Sequence, residues 1–245
     1  MNGILIYTEE EARRNAFAVE KITGLLEIPL VISGKDEIPD KIDFAVNRTD
    51  NAEIAEALEV RGVRVFNPYS LSLLANDKQK CYEFMQKNGI EIMPINQATT
   101  PVVEKPIDGK GGKNVSLIIE NGFEIKEGYV YQKPASDMGR DLRVWLIGGE
   151  IIASILRVNN NDFRSNFCLG GEANLYNMSE DEQRLVQKIA SLLEYDYIGM
   201  DFVFDNGRAV FNEIEDAVGA RMVYEKTDID ILKLYCDYIK SEMGK

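Results

Sequence analysis

The chain of 245 residues contains no histidine. That absence removes Ser-His-Asp and Cys-His nucleophile systems, the H-E-x-x-H zinc site and every imidazole general base. Any chemistry must run on carboxylates, lysines, arginines, backbone amides and hard metal ions. Cysteine is scarce: Cys81, Cys168 and Cys236 lie far apart with no C-x-x-C spacing, and they read as reduced packing residues, not as a zinc or redox set. No stretch approaches the roughly 20 apolar residues of a membrane span. The start, Met1 to Tyr7, has no basic region and runs into Glu9-Glu10-Glu11, so a cytoplasmic location is expected. Bases are outnumbered by acids, 28 to 41, for a net charge of −13. Such a field repels phosphate backbones and anionic lipid, which excludes nucleic acid and membrane surfaces as expected partners.

With 45% hydrophobic residues, the chain has material for a sizeable core. Short apolar runs at Gly3 to Tyr7, Leu30 to Ile32, Phe44 to Val46 and Val63 to Phe66 alternate with helical patterns near Asn15 to Leu26 and Ala52 to Arg61. That alternation predicts a small parallel α/β lobe. A helix opening at Asn76 or Asp77 stops at Asn88-Gly89. The pattern then becomes antiparallel, with strands at Val102 to Lys105, Val115 to Ile119 and Tyr129 to Gln132, then a hairpin turning at Gly148-Gly149. Ser179-Glu180-Asp181-Glu182 matches a capping box, a second hairpin spans Met200 to Glu215, and Asp230 to Ser241 reads as a closing helix. We place lobe boundaries at residues 1–75, 76–133 and 134–245 of this mixed α/β chain.

Three strings carry chemistry. Asp108-Gly109-Lys110-Gly111-Gly112-Lys113 is a basic glycine turn whose amides can approach a phosphate; it is neither a Walker loop nor a dinucleotide fingerprint, and alone it reads better as a solvated hairpin loop. Lys105, at the end of the apolar strand entering that turn, is an unusual place for a solvated lysine and would reach a phosphate held there. In the acidic hairpin Glu213 and Glu215 share a strand face, and Asp201 joins them if the turn at Asn206-Gly207 has an odd number of loop residues. Convergent carboxylates suit magnesium, or manganese; a solvated sheet edge is the plainer alternative. Arg164 and Asn166, in Asp162-Phe163-Arg164-Ser165-Asn166, offer a planar fork and an amide to phosphate. Arg143 and Arg157 on neighbouring strands add positive potential or serve as ion-pair partners.

In this order and spacing the strings resemble the ATP-grasp superfamily, and within it the RimK-like carboxylate-amine ligases. The resemblance runs from Asn76-Asp77-Lys78 through Gln132-Lys133, Gly139-Arg140-Asp141-Leu142-Arg143, Gly170-Gly171 and Gly199-Met200-Asp201 to Asn212-Glu213-Ile214-Glu215. It implies an ATP-dependent ligase that activates a carboxylate of an amino acid or peptide as an acyl phosphate and joins it to an amine. It further implies Lys78, Lys105, Gly109, Gly111 and Gly112 at the ATP phosphates, Gln132-Lys133 at adenine and Asp141 at ribose. Arg164, Ser165 and Asn166 would hold the reacting phosphate, and Asp201, Glu213 and Glu215 the magnesium. Departures from the pattern include Glu215 where the family has asparagine, Lys133 where it usually has an acid, and Leu169 in place of an arginine. A phosphotransferase and a nucleotide-binding module without turnover are the other readings of such a scaffold. Arg48, after the third strand, and Arg221, after the metal strand, are the candidate anchors for a substrate carboxylate, with Arg143 and Arg157 beside them. A homo-oligomer is compatible with the composition.

Overall fold

Gly3–Tyr7 (β1) is buried along its whole length, as a central strand of a parallel sheet must be. The computed structural model, which describes residues 2–165 and 171–245, sets β1 between β2 (Leu30–Ile32) and β3 (Phe44–Asn47), with β4 (Arg64–Phe66) beyond, in the all-parallel order β2-β1-β3-β4. Helices α1 (Glu9–Arg14) and α2 (Ala16–Leu26) follow β1, and α3 (Ala52–Val60) joins β3 to β4. The short α1 was not anticipated; Thr8 caps it, accepting from the Glu11 amide, and Asn15 breaks it from α2. Another short helix, α4 (Tyr69–Ala75), leads to α5 (Lys78–Lys87), where Asp77 accepts from the Lys80 amide and so settles which residue is the cap.

A second sheet has three antiparallel strands, β6-β5-β7, from β5 (Val102–Pro106), β6 (Ser116–Ile118) and β7 (Tyr129–Gln132). The third is a five-stranded antiparallel sheet, β10-β9-β8-β11-β12. Its strands are β8 (Arg140–Ile147), β9 (Glu150–Val158), β10 (Glu172–Leu175), β11 (Tyr197–Asp205) and β12 (Arg208–Glu215). One face of this sheet is apolar along its length: Leu142, Val144 and Leu146 join Ile198, Met200, Phe202, Phe204 and Phe211 in a core with Tyr82 and Met85 of α5 and with Val186 and Ile189 of α6 (Glu180–Ala190). The predicted capping box is present at Ser179 and Glu182. The opposite face is divided. At one end Trp145, Ile147, Ile155 and Tyr197 pack with α7 (Arg221–Lys226), α8 (Ile231–Met243) and the first sheet; at the other end the same rows of side chains turn from apolar to charged.

Asn67 ties the first sheet to the third. Its Nδ2 donates to the carbonyls of Tyr197 and Asp216, each at 2.8 Å, and its Oδ1 accepts from the amides of Asp196 at 2.7 Å and Tyr197 at 2.9 Å. The pairing of β12 with β11 ends at Gly199–Glu215, so the Asn67 amide takes the place of a peptide unit where the neighbouring strand has run out. Among the described residues, no helix is long and apolar enough to cross a membrane.

Candidate functional site

Cross-strand register assembles the charged end of the third sheet. Arg143 on β8 lies directly opposite Asp201 on β11, which lies opposite Glu213 on β12; Asp141 is opposite Arg157, and Glu215 opposite Gly199. All six charged side chains therefore project from one face. A Cβ at Gly199 would lie 2.6 Å from Val218 Cγ2, so glycine is what lets the chain leaving β12 fold across β11 beside Glu215.

The convergence of the three acids is as expected, but the expected cause is wrong. The turn has two loop residues, Asn206 (φ 50°) and Gly207 (φ 75°), with Asp205 paired to Arg208. A plain hairpin from that turn would set Asp201 against Asn212. Instead the register shifts between Asp201 and Phe202: Phe202 pairs with Phe211, Asp201 with Glu213, and Asn212 is the extra residue of a β-bulge. One oxygen from each of Asp201, Glu213 and Glu215 then falls in a set whose members all lie within 4.8 Å of one another. This hard, all-oxygen donor set fits magnesium.

Arg143 and Arg157, expected to face a substrate carboxylate, are committed to these acids. Arg143 Nε and Nη2 donate to Asp201 Oδ1 and Oδ2, both at 2.6 Å, while Nη1 donates to Glu215 Oε2 at 3.0 Å and Nη2 also to Glu215 Oε1. Arg157 forks onto Asp141 and donates a further bond to Asp201 Oδ2 at 2.8 Å. Burial raises the Asp201 carboxyl, but the two arginines outweigh it and hold the group below the usual carboxylate range. Asp141, expected at a ribose, is the buried partner of Arg157 and also lines the cleft beside these acids.

A cleft of about 840 Å³ opens beside the acids, between the second and third sheets. Lys105 and Val103 enter it from β5, Gln132 from β7, and Glu213 and Asn212 from β12. Lys105 Nζ donates to Gln132 Oε1 at 2.6 Å and to Asn212 Oδ1 at 2.8 Å, so the bulge residue also seats the lysine. Burial pushes Lys105 down to about 8, against the opposing pull of Glu213. Lys78, at the start of α5, donates to the Gly109 carbonyl and lies 3.4 Å from Glu213 Oε2. Gly109 and Gly112 line the cleft, while Gly111 (φ 61°) makes the turn without lining it. Arg164 forks onto Asp162 and reaches the Gly112 carbonyl at 3.1 Å, so it touches the glycine turn from the facing lobe. Ser165 is buried at the cleft beside Asp141. Asn166, Cys168 and Leu169 lie outside the described residues.

Gln132 and Lys133, the expected hinge, both line the cleft. The Lys133 amide is used by the Pro94 carbonyl at 2.7 Å, so only its carbonyl side is left for a base edge. Sequence reasoning overlooked Asp137, which lines the cleft just past the hinge, and gave Asn212 no role of its own, since its strand position gave no sign of a bulge. Arg48 is not in the cleft lining: it is buried, donates to the Val218 carbonyl and lies with its guanidinium carbon 5.4 Å from the Tyr197 ring centre, which makes it a strut between lobes. Arg221 is exposed at the start of α7. Cys81 and Cys236 are free and buried.

The family model of the RimK-like ATP-grasp domain matches residues 73–239. The uncharacterised protein MG011 of Mycoplasma genitalium is 27% identical over 227 residues, covering 84% of this chain and 77% of its own length. A probable alpha-L-glutamate ligase of Maridesulfovibrio salexigens is 26% identical over 235 residues, covering 85% and 77%. Among solved structures, D-cycloserine synthetase DcsG superposes with a TM-score of 0.73 at 12% identity, covering 99% of this chain and 100% of its own. The ATP-grasp ligase PsnB, solved with magnesium and ADP, gives a TM-score of 0.72 at 13% identity, covering 100% and 99%. At such identities these structures establish a shared fold.

Proposed function

The chain belongs to the RimK-like ATP-grasp family, and from that premise we propose that it is an ADP-forming ligase joining the carboxylate of an amino acid or peptide to an amine. The observation that carries this reading is the meeting, at one cleft, of a glycine turn, two lysines and the acids Asp201 and Glu213, with Glu215 brought beside those acids by strand register. In it, residues 76–133 and 134–245 form the two lobes that grip ATP, and residues 1–75 bring the acyl substrate. A cytoplasmic setting is part of the same reading.

Lys78, Lys105 and the amides of the glycine turn hold the ATP phosphates. The segment Gln132–Ala135 meets the base, and Asp137 takes the ribose position first assigned to Asp141, because Asp141 is already spent on Arg157. Asp201, Glu213 and Glu215 hold magnesium, which when bound neutralises phosphate charge. A carboxylate oxygen of the substrate attacks the γ-phosphorus in line, giving an acyl phosphate and ADP, and an amine then displaces inorganic phosphate. Arg164 and Asn166 steady the transferring phosphoryl group. No step needs an imidazole base, since catalysis rests on positioning and charge. The glycine turn, closing over the cleft, keeps water from the acyl phosphate. Arg221 is the free candidate for a substrate carboxylate; Arg48 acts by holding the Val218 segment in place.

The test is a coupled assay of ADP release with panels of amino acids and short peptides. Sustained release that requires both an acyl and an amine component supports the ligase. Release that needs only a phosphate acceptor means a phosphotransferase.

A further inference from the structure

Charge in the acidic cluster is balanced within the fold. Asp141, Asp201, Glu213 and Glu215 face Arg143, Arg157, Lys78 and Lys105, four acids against four bases. Arg143 lies at the centre, with one edge of its guanidinium forked onto Asp201 and the other onto Glu215. It thus supplies from within the protein the cation that converging carboxylates call for. The second fork depends on Glu215, which offers two charged oxygens at a position where the family has asparagine. We propose that Arg143 is a specificity-determining residue that makes divalent-metal binding conditional on nucleotide. This rests on the metal role assigned above.

A free divalent ion approaching Asp201 and Glu215 meets a fixed positive charge bonded to both. The pull of the acids is largely cancelled, and both arginine and Asp201 are too buried for water to screen the repulsion. A nucleotide triphosphate changes the balance, because its phosphates bring several negative charges to Lys78, Lys105 and the glycine turn. The ion is then favoured only in company with the phosphates. The site selects the metal–nucleotide pair and stays closed to the metal alone.

The experiment follows Mn²⁺ binding to the full chain by the electron paramagnetic resonance of free Mn²⁺, with and without ADP, each set against a protein-free control that subtracts the Mn²⁺ held by ADP in solution. The parent should bind Mn²⁺ alone weakly and much more tightly with ADP. In Arg143→Met, Mn²⁺ alone should bind about tenfold tighter or more, since a repelling charge at contact distance is gone. Arg143→Lys, which keeps the charge, should remain within about threefold of the parent. Arg143→Gln serves if the Met variant does not fold, with folding judged by circular dichroism and by ADP binding in EDTA. If neither neutral variant binds Mn²⁺ alone more tightly than the parent, the proposal is overturned. A parent that binds no Mn²⁺ even with ADP overturns the metal site and this proposal together. Conditional metal binding without any ligase turnover supports this proposal and removes only the reaction assigned above.

Discussion

Replacing Asn67 by alanine should destabilise the protein more than its small change in volume suggests. The substitution deletes four hydrogen bonds made by one buried amide and strands the carbonyls of Tyr197 and Asp216 and the amides of Asp196 and Tyr197. Left dry, each such group costs about 1–3 kcal/mol. A water entering the space vacated by the amide would re-satisfy roughly two to four of them, so the expected loss is about 3–5 kcal/mol. For a chain of this size that lowers the melting temperature by roughly 10 °C. Urea unfolding, followed by circular dichroism and by the fluorescence of the single tryptophan, measures it. Trp145 is buried and donates to the Gly219 carbonyl at 3.0 Å, so its emission reports on the segment that Asn67 holds. Asn67→Asp, which keeps the shape but loses both donors and buries a charge, should be at least as damaging. Asn51→Ala, removing only the exposed cap of α3, should cost about 1 kcal/mol. An Asn67→Ala protein within about 1 kcal/mol of the parent would refute the assigned role, since that would mean the four bonds contribute no more than a surface cap.

Glu213→Gln should leave the melting temperature nearly unchanged and lower ADP formation by about a hundredfold or more, because it deletes a charge meant for metal and not a packing contact; near-normal turnover would count against the metal site. Lys105 loses its proton as pH rises through about 8, so ADP affinity should fall between pH 7 and 9 in the parent and hold steady in Lys105→Arg, read by calorimetry. Asp196 is fully buried and burial, outweighing Arg64 and Tyr238, raises its carboxyl to about 6. The folded state therefore holds that proton more tightly than the unfolded chain, and its contribution to stability is lost as pH rises from about 4 to 6. Asp196→Asn should remove up to about 2 kcal/mol of that loss when urea unfolding is compared at pH 4.5 and 7; equal pH slopes in both proteins would contradict it. Arg221→Ala, at an exposed position, should weaken saturation by the carboxylate substrate without altering the unfolding midpoint; unchanged kinetics would move the substrate anchor elsewhere.

What the chain declares about itself depends on how local the cause is. The cap at Ser179 was readable, and that of α5 to within one residue, because a cap is settled within four residues. The parallel first sheet and the two antiparallel ones were readable from the spacing of apolar runs. The short helices α1, α4 and α7 were not, since six or seven residues carry too little periodicity. The acidic face was legible as a pattern of types, whereas the bulge that creates it was not, because Asn212 is one polar residue among others in a strand end. Arg143 and Arg157 show the same limit from the other side. Their partners are set by register between strands that lie far apart in sequence, and periodicity alone does not contain that register. No motif singles out Asn67 after β4, and only the end of β12 in its vicinity gives it four hydrogen bonds.

The bulge at Asn212 has a consequence for how related chains are compared. On the turn side of it, Phe211 keeps the regular alternation of β12 and packs with Phe202 and Phe204; past it, Glu213 and Glu215 obey the shifted one and so join Asp201. A single inserted residue thus separates the hairpin into a packing half and a chemical half that can vary independently. Substitutions in either half leave the other untouched, but a deletion of one residue on β12 would exchange inside for outside over all that follows. When homologous hairpins differ in length, placing the gap at the Asn206-Gly207 tip or at the bulge changes no count of identical residues elsewhere, yet it decides which carboxylates are regarded as equivalent. For this fold the position of an indel carries more functional information than the identity score around it.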